Sequence, residues 1–566
     1  MCASLKQMTK RTATLARILL VLTNLVLVAL LLGACQPISP AAQRAEPPVT
    51  ITEIPLLVAP DCTGAFIAHD LDHVTNTDDG VIRMFEANGS GAAAGDLDND
   101  GDLDLVLGNL DAPNTILWNE GRLRFRSERF GEPNTRGLTI VDVDADGWLD
   151  IVLTRNTGVI NYWRNQANGA FQRIPLPGVS QPAYALNWGD LDRDGDLDLV
   201  TASYDAGLLT DRGNEYLLAG GGGVTVYDND GGRFRPTRLA NEAQALALLL
   251  FDIDDNGRLD ILVGNDFDLP DMAWLNIANG WQAATPFANT THSTMSLDAG
   301  DVHNDGHQEL FASDMKPYLN NAQTAMAYAP FMAGAPMDHM LMDDPQIMAN
   351  VLLVRDDLDK YFNVSDATGV DASGWSWTGR FGDLDSDGFL DLYVVNGFAE
   401  ETLAGHLPNH ELIEENQVFR NDGRGRFEPM AQWGLASTRG GRSMLMVDLD
   451  DDGDLEIVVS NLRSAAQLFE NDLCGGDDLL VELSLPGSQN RNALGAVVQL
   501  QTDLGVLTRG VRSASGYLTA EPARVHFGLP ANTTIDSMTI RWPDGETTVL
   551  PAPPINHLLR IAHPTP

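Results

Sequence analysis

The stretch Asp96-Leu97-Asp98-Asn99-Asp100-Gly101-Asp102-Leu103-Asp104 carries a pattern, D-x-D-x-D-G-x-x-D, that the chain repeats seven times. Carboxylates at loop positions 1, 3, 5 and 9 converge on one point when the loop curls, and their repulsion there is prohibitive unless a cation neutralises it. The glycine at position 6 lacks a Cβ and so permits the sharp turn. Several hard oxygen ligands suit Ca²⁺ better than Mg²⁺, which holds on to its waters. The spacing is that of the first part of an EF-hand loop, but no glutamate stands at position 12. Leu105-Val106-Leu107 follows instead, an apolar run typical of a strand. The motif is therefore a calcium loop between strands.

The remaining copies supply the other candidate ligands. They are Asp142, Asp144, Asp146 and Asp150, then Asp190, Asp192, Asp194 and Asp198. In the fourth, Asp252, Asp254 and Asp260 are joined by Asn256, a neutral oxygen donor. The fifth offers Asp301, Asp305 and Glu309, with His303 in place of the position-3 acid. A soft nitrogen is a poor calcium ligand, so the fifth site is expected to be weak or empty. Asp383, Asp385, Asp387 and Asp391 form the sixth, and Asp448, Asp450, Asp452 and Glu456 the seventh. Up to seven Ca²⁺ ions are expected.

Each loop sits inside a longer unit of about sixty residues. An apolar strand enters, as in Gly137-Leu138-Thr139-Ile140-Val141, and a second leaves, as in LDIVLTRN. A third ends in a turn (NTILWNEG, GVTVYDNDGG, NQVFRNDGRG), and a fourth carries an aromatic such as Phe125 or Phe427. Four strands per unit and seven units predict an all-β, seven-bladed β-propeller over residues 61–475. The last unit lacks its fourth strand, which Ala65-Phe66-Ile67 at the other end is expected to provide. Cys62 and Cys474 then flank one hairpin, predicting a Cys62–Cys474 disulfide that closes the ring and contributes roughly 4–5 kcal/mol. After residue 476 the D-x-D pattern stops and short strands alternate with turns, so 476–566 reads as a small β-sandwich.

Two insertions interrupt the repeat. Ser203 to Gly223, ending in four glycines, reads as a mobile loop, and Lys316 to Asn350 is rich in methionine. Thioethers near His339 are ligands for Cu(I), but such methionines more often pack as adaptable apolar filler.

The N-terminus reads as a targeting segment over 1–35: basic residues, an apolar run from Ile18 to Leu32, then Leu32-Gly33-Ala34-Cys35, which resembles a bacterial lipobox. That resemblance implies cleavage before Cys35 and lipidation of its thiol, giving an extracytoplasmic protein anchored to a membrane only by lipid. Residues 36–60, rich in Pro and Ala, read as a flexible tether. The net charge of −43, from 36 basic and 79 acidic residues, argues against nucleic acid as a partner.

The seven loops resemble the FG-GAP/VCBS repeats of integrin α-chain propellers. Asn490 to Ala496, Gly516-Tyr517-Leu518, His526 to Leu529 and Arg541 to Gly545 resemble the ASPIC/UnbV domain. Together they are similar to the cartilage-acidic-protein-1-like family of secreted or surface proteins. The resemblance implies calcium at the repeat loops and no enzymatic reaction. No G-x-S-x-G elbow or H-E-x-x-H helix is present, and Pro408 opposes a helix presenting His406 and His410 to zinc. The expectation is a monomeric, non-enzymatic binding or adhesion module for a protein or glycan. The alternative is a polysaccharide-active hydrolase or lyase, since propellers also host enzymes and acids abound.

Overall fold

The computed structural model describes residues 49–57, 62–77, 82–155, 158–167, 169–212, 222–267, 269–334, 346–356, 360–473 and 475–563. The expected targeting segment, Cys35, Cys474 and His339 lie outside them. Among the described residues no helix is long and apolar enough to cross a membrane.

The repeats fold as the pattern requires. In the first, Ala92–Gly95, Asp104–Leu107, Asn114–Asn119 and Phe125–Phe130 form one antiparallel sheet in chain order. The first three strands are buried throughout, whereas Phe125–Phe130 exposes its middle four residues. Strands covered on both faces read as continuous apolar runs, and the outermost strand meets water. Seven sheets of this plan occur among the described residues. Their first strands touch in sequence, Ala92–Gly95 to Thr135–Val141 and onward to Gly441–Val447, which returns to Ala92–Gly95. That closed cycle of radial sheets is a β-propeller.

Closure uses the chain's N-terminal side. Ile67–Val74 pairs antiparallel with Ala465–Glu470, completing the sheet of the seventh loop. The strand starts where Ala65-Phe66-Ile67 was expected to end. Its sequence, IAHDLDHV, has the polar residues of an outermost strand, so the apolar signal lay beside it rather than on it. Cys62 is disulfide-bonded. Thr63 and Gly64 donate their backbone N–H groups to Asp472, at 2.8 Å each, two residues before Cys474.

The tether ends earlier than expected. Thr50–Pro55 is a strand, paired antiparallel with His557–Ala562. Its side chains are mostly exposed. What orders it is the open row of backbone donors and acceptors on the edge of the C-terminal sheet, which composition does not reveal. That sheet continues through Asp477–Ser484 to Arg524–Leu529, with the two middle strands parallel. A second sheet holds Gly505–Gly510, Val497–Thr502, Ile535–Arg541 and Thr547–Pro551. Leu479, Val481 and Phe527 from the first meet Val498, Leu500 and Ile540 from the second in one core. This is the expected sandwich, with one strand taken from before the propeller.

The insertions lie between second and third strands, and so at the ring face opposite the acidic loops. The first contains the helix Asp205–Arg212 where a mobile loop was expected. The second contains the helix Ala322–Gly334, whose Tyr328 packs with Trp375 and bonds Glu414.

Candidate metal centres

All seven loops share one backbone form. Position 4 is left-handed in every copy, with φ of 58° at Asn99 and 50° at Ser386, and the position-6 glycines have φ between 84° and 107°. Only glycine occupies the second conformation without strain. The curl is fixed by the loop's own hydrogen bonds. The position-2 N–H donates to the position-9 carboxylate in all seven copies, at 2.8 to 3.1 Å. The glycine N–H donates to the position-1 carboxylate in six, at 2.7 to 3.2 Å.

The curl gathers three of the four expected ligand residues in each of five loops: Asp100, Asp150, Asp198, Asn256 and Asp387 are not in these groups. Ligand atoms of Asp96, Asp98 and Asp104 lie within 4.8 Å of one another, as do those of Asp142, Asp144 and Asp146. The same holds for Asp190, Asp192 and Asp194, for Asp252, Asp254 and Asp260, and for Asp383, Asp385 and Asp391. Burial, and then the neighbouring carboxylates, push these acids up: Asp96 and Asp142 to about 6, Asp104, Asp150 and Asp260 to about 7, Asp198 to about 8. Asp383, Asp391, Asp448 and Glu456 rise further, for the same reasons. Asp98 Oδ1, Asp252 Oδ1, Asp385 Oδ1, Asp448 Oδ2 and Asp450 Oδ1 are buried with no hydrogen-bond partner. Convergent, crowded carboxylates with orphaned oxygens are a donor set whose chemistry suits a hard cation.

The fifth loop keeps the backbone but not the chemistry. His303 Nδ1 lies 3.0 Å from Glu309 Oε1, so two of its ligand positions engage each other. Asp301 Oδ2 accepts from the Thr508 N–H (3.2 Å), and Asn304 O accepts from the Val506 N–H (2.9 Å). This loop thus bonds the C-terminal domain through two backbone donors.

The sequence reading missed the residue that couples the loops. Asn119, Asn165, Asn229, Asn276, Asn421 and Asn471 end the third strands, and each donates its backbone N–H to the position-9 carboxylate of its own loop. Five also donate Nδ2 to the position-2 carbonyl of the preceding loop: Asn119 to Leu449, Asn165 to Leu97, Asn276 to Leu191, Asn421 to Val302 and Asn471 to Leu384, at 2.6 to 3.0 Å. In the fifth sheet Arg355 stands at that register, bonding Asp254 O and pairing with Asp255, while the Tyr361 hydroxyl donates to Ile253 O. The signal was present as the recurring asparagine of WNEG, YDNDGG and FRNDG.

The C-terminal domain lies on this face. Arg541 pairs with Asp252 at 3.1 Å, Ser386 Oγ donates to Asp478 at 2.9 Å, and Asn490 N–H donates to Gly195 O at 2.9 Å. Its Gly516-Tyr517-Leu518 segment reaches the ring axis. Thr519–Ala520 pairs parallel with Ala92–Ala93, Gly516 N–H donates to Leu297 O, and buried Tyr517 bonds Asn88 O and the Tyr184 hydroxyl.

These features define a β-propeller of acidic-loop repeats closed on one face by a β-sandwich. The FG-GAP-like repeat family matches residues 96–153, 142–201 and 408–459, and the ASPIC and UnbV family matches residues 486–566. The chain thus carries FG-GAP-like repeats and an ASPIC and UnbV domain. No curated protein matches it. Solved structures of similar outline include BBS1N in complex with ARL6DN, soaked with mercury, at 10% identity and a TM-score of 0.39, covering 72% of this chain and 96% of that one. YCF48 bound to D1 peptide is 8% identical with a TM-score of 0.38, covering 74% and 98%. Likeness at this level says nothing of what this chain binds.

Proposed function

We propose that this chain is a calcium-stabilised, non-enzymatic binding module of the cell envelope, lipidated at Cys35 and held to the membrane by that lipid. The observation that supports the calcium reading is the sevenfold recurrence of one backbone loop, with carboxylates converging in five of the copies and buried oxygens left unbonded in four. Because the C-terminal domain covers much of the loop face and plugs the axis, the ions serve structure. Recognition of a protein or glycan then falls to the opposite face, where the two helical insertions lie.

Calorimetric titration with calcium, with thermal unfolding in calcium and in EDTA, tests this. Each site filled at a hundred times its Kd stabilises the fold by about 2.7 kcal/mol. Several bound ions and a midpoint more than about 10 °C higher in calcium are expected. Absence of both withdraws the calcium reading, and turnover on a polysaccharide panel would replace the binding reading with the enzymatic one.

A further inference from the structure

In two sheets the residue just before the third-strand asparagine meets positions 3 and 5 of its loop, and the charge at this register differs from sheet to sheet. In the second sheet it is Arg164, which pairs with Asp144 and donates Nη2 to Asp146 Oδ2 at 3.0 Å. In the sixth it is Arg420, whose Nε meets Asp385 Oδ2 at 2.5 Å and whose Nη2 pairs with Asp387. In both, one guanidinium bridges two of the four candidate ligands of the loop. The same register holds Asp228 in the third sheet and Glu470 in the seventh. Glu470 lines one cavity with Asp450 and Asp452, while its Oε2 also bonds His69 Nε2. In the seventh loop Asp448, 2% exposed, keeps Oδ2 without a partner.

We propose that this position grades the seven loops: those with Arg164 and Arg420 hold calcium weakly, those with Asp228 and Glu470 tightly. The proposal rests on the calcium reading above and adds an order of filling to it. A guanidinium must leave two carboxylates before a cation takes them, which costs the energy of that fork. An added carboxylate beside the ion does the opposite. Arg164 and Arg420 are each more than a third exposed, so their side chains have solvent to swing into. On this reading two sites fill only at higher calcium than the others.

The test is calorimetric titration of the detergent-solubilised full chain with calcium. The wild type is expected to show a weak class of at least two ions. Arg164→Gln with Arg420→Gln moves two ions into the tight class, with affinity rising about tenfold per loop. Asp228→Asn with Glu470→Gln moves two the other way. Arg164→Lys with Arg420→Lys, keeping charge but losing the fork, falls between. Melting separates this from mere structural damage: the glutamine variant melts below wild type in EDTA, yet gains more than wild type on adding calcium. Calcium binding with superimposable isotherms for wild type and the glutamine variant overturns the grading and leaves the calcium reading intact. No calcium bound to the wild type overturns both.

Discussion

The fifth and sixth loops are the same turn carrying different chemistry. Position 4 is left-handed in both (Asn304 φ 54°, Ser386 φ 50°), as is the position-6 glycine (Gly306 94°, Gly388 91°), and both bond that glycine N–H to the position-1 carboxylate. The sixth gathers Asp383, Asp385 and Asp391, two of them almost fully buried. The fifth turns His303 onto Glu309 and gives Asp301 to the C-terminal domain. Backbone conformation follows the glycine and the internal hydrogen bonds, while the convergence of carboxylates follows the side chain at position 3. One fold element has thus been kept for its shape where its ligands changed.

Breaking each loop at position 1 separates these roles most strongly. At calcium about a hundred times the Kd of the sixth loop, Asp383→Asn is expected to lose one bound ion and about 2.7 kcal/mol of the calcium-dependent stability. Asp301→Asn should leave the calcium count unchanged and cost less than about 1 kcal/mol through its weakened bond to Thr508. Calcium-dependent melting of both variants decides, and equal losses would erase the distinction.

The couplings come next. Asn421→Ala removes the Nδ2 bonds to Val302 O and Leu390 O and the Gly423 N–H bond to Oδ1, leaving the backbone bond to Asp391, and is expected to cost about 2–3 kcal/mol in denaturant unfolding. Tyr361→Phe removes only the bond to Ile253 O and should cost about 1 kcal/mol.

A smaller but opposite-signed effect follows from pH. Burial raises Asp104, Asp150 and Asp198 to about 7, 7 and 8, above the unfolded carboxylate value near 4. The metal-free folded chain then binds more protons than the unfolded chain between about pH 4 and 8. Its stability is lost as pH rises through the folded values and is restored on acidification. In EDTA the midpoint should therefore be higher at pH 5 than at pH 8. In saturating calcium, protons compete with the ion and the order should reverse. Parallel slopes would mean that these carboxylates do not hold the ions.

The finest sharpening is a gain. His303→Asp restores the acid pattern in the fifth loop and should add one calcium of low affinity, with a midpoint change of only a few degrees. An unchanged count would show that the docked C-terminal strands, rather than His303, exclude the ion.

Much of this was legible because it repeats. Seven copies of one loop made the turns, the strands around them and the ring readable from composition and period alone. The outermost strand Ile67–Val74 was placed a few residues early because its exposed polar side chains carry no apolar run. The asparagine couplings were hidden because their partners lie in the neighbouring repeat, as with Asn119 and Leu449, 330 positions apart. Thr50–Pro55 was hidden because it is held by backbone bonding to an edge, which side-chain pattern does not encode.

The sequence by itself determined the local chemistry: which residues turn, which carboxylates converge, and which strands are buried on both faces. These are short-range consequences of side-chain type at fixed spacing. Only the tertiary structure decided that the C-terminal domain docks on the loop face, that Tyr517 is buried against Asn88 and Tyr184, and that most loops are tied to the one before. Those contacts join residues in different repeats or domains, from 68 to 429 positions apart.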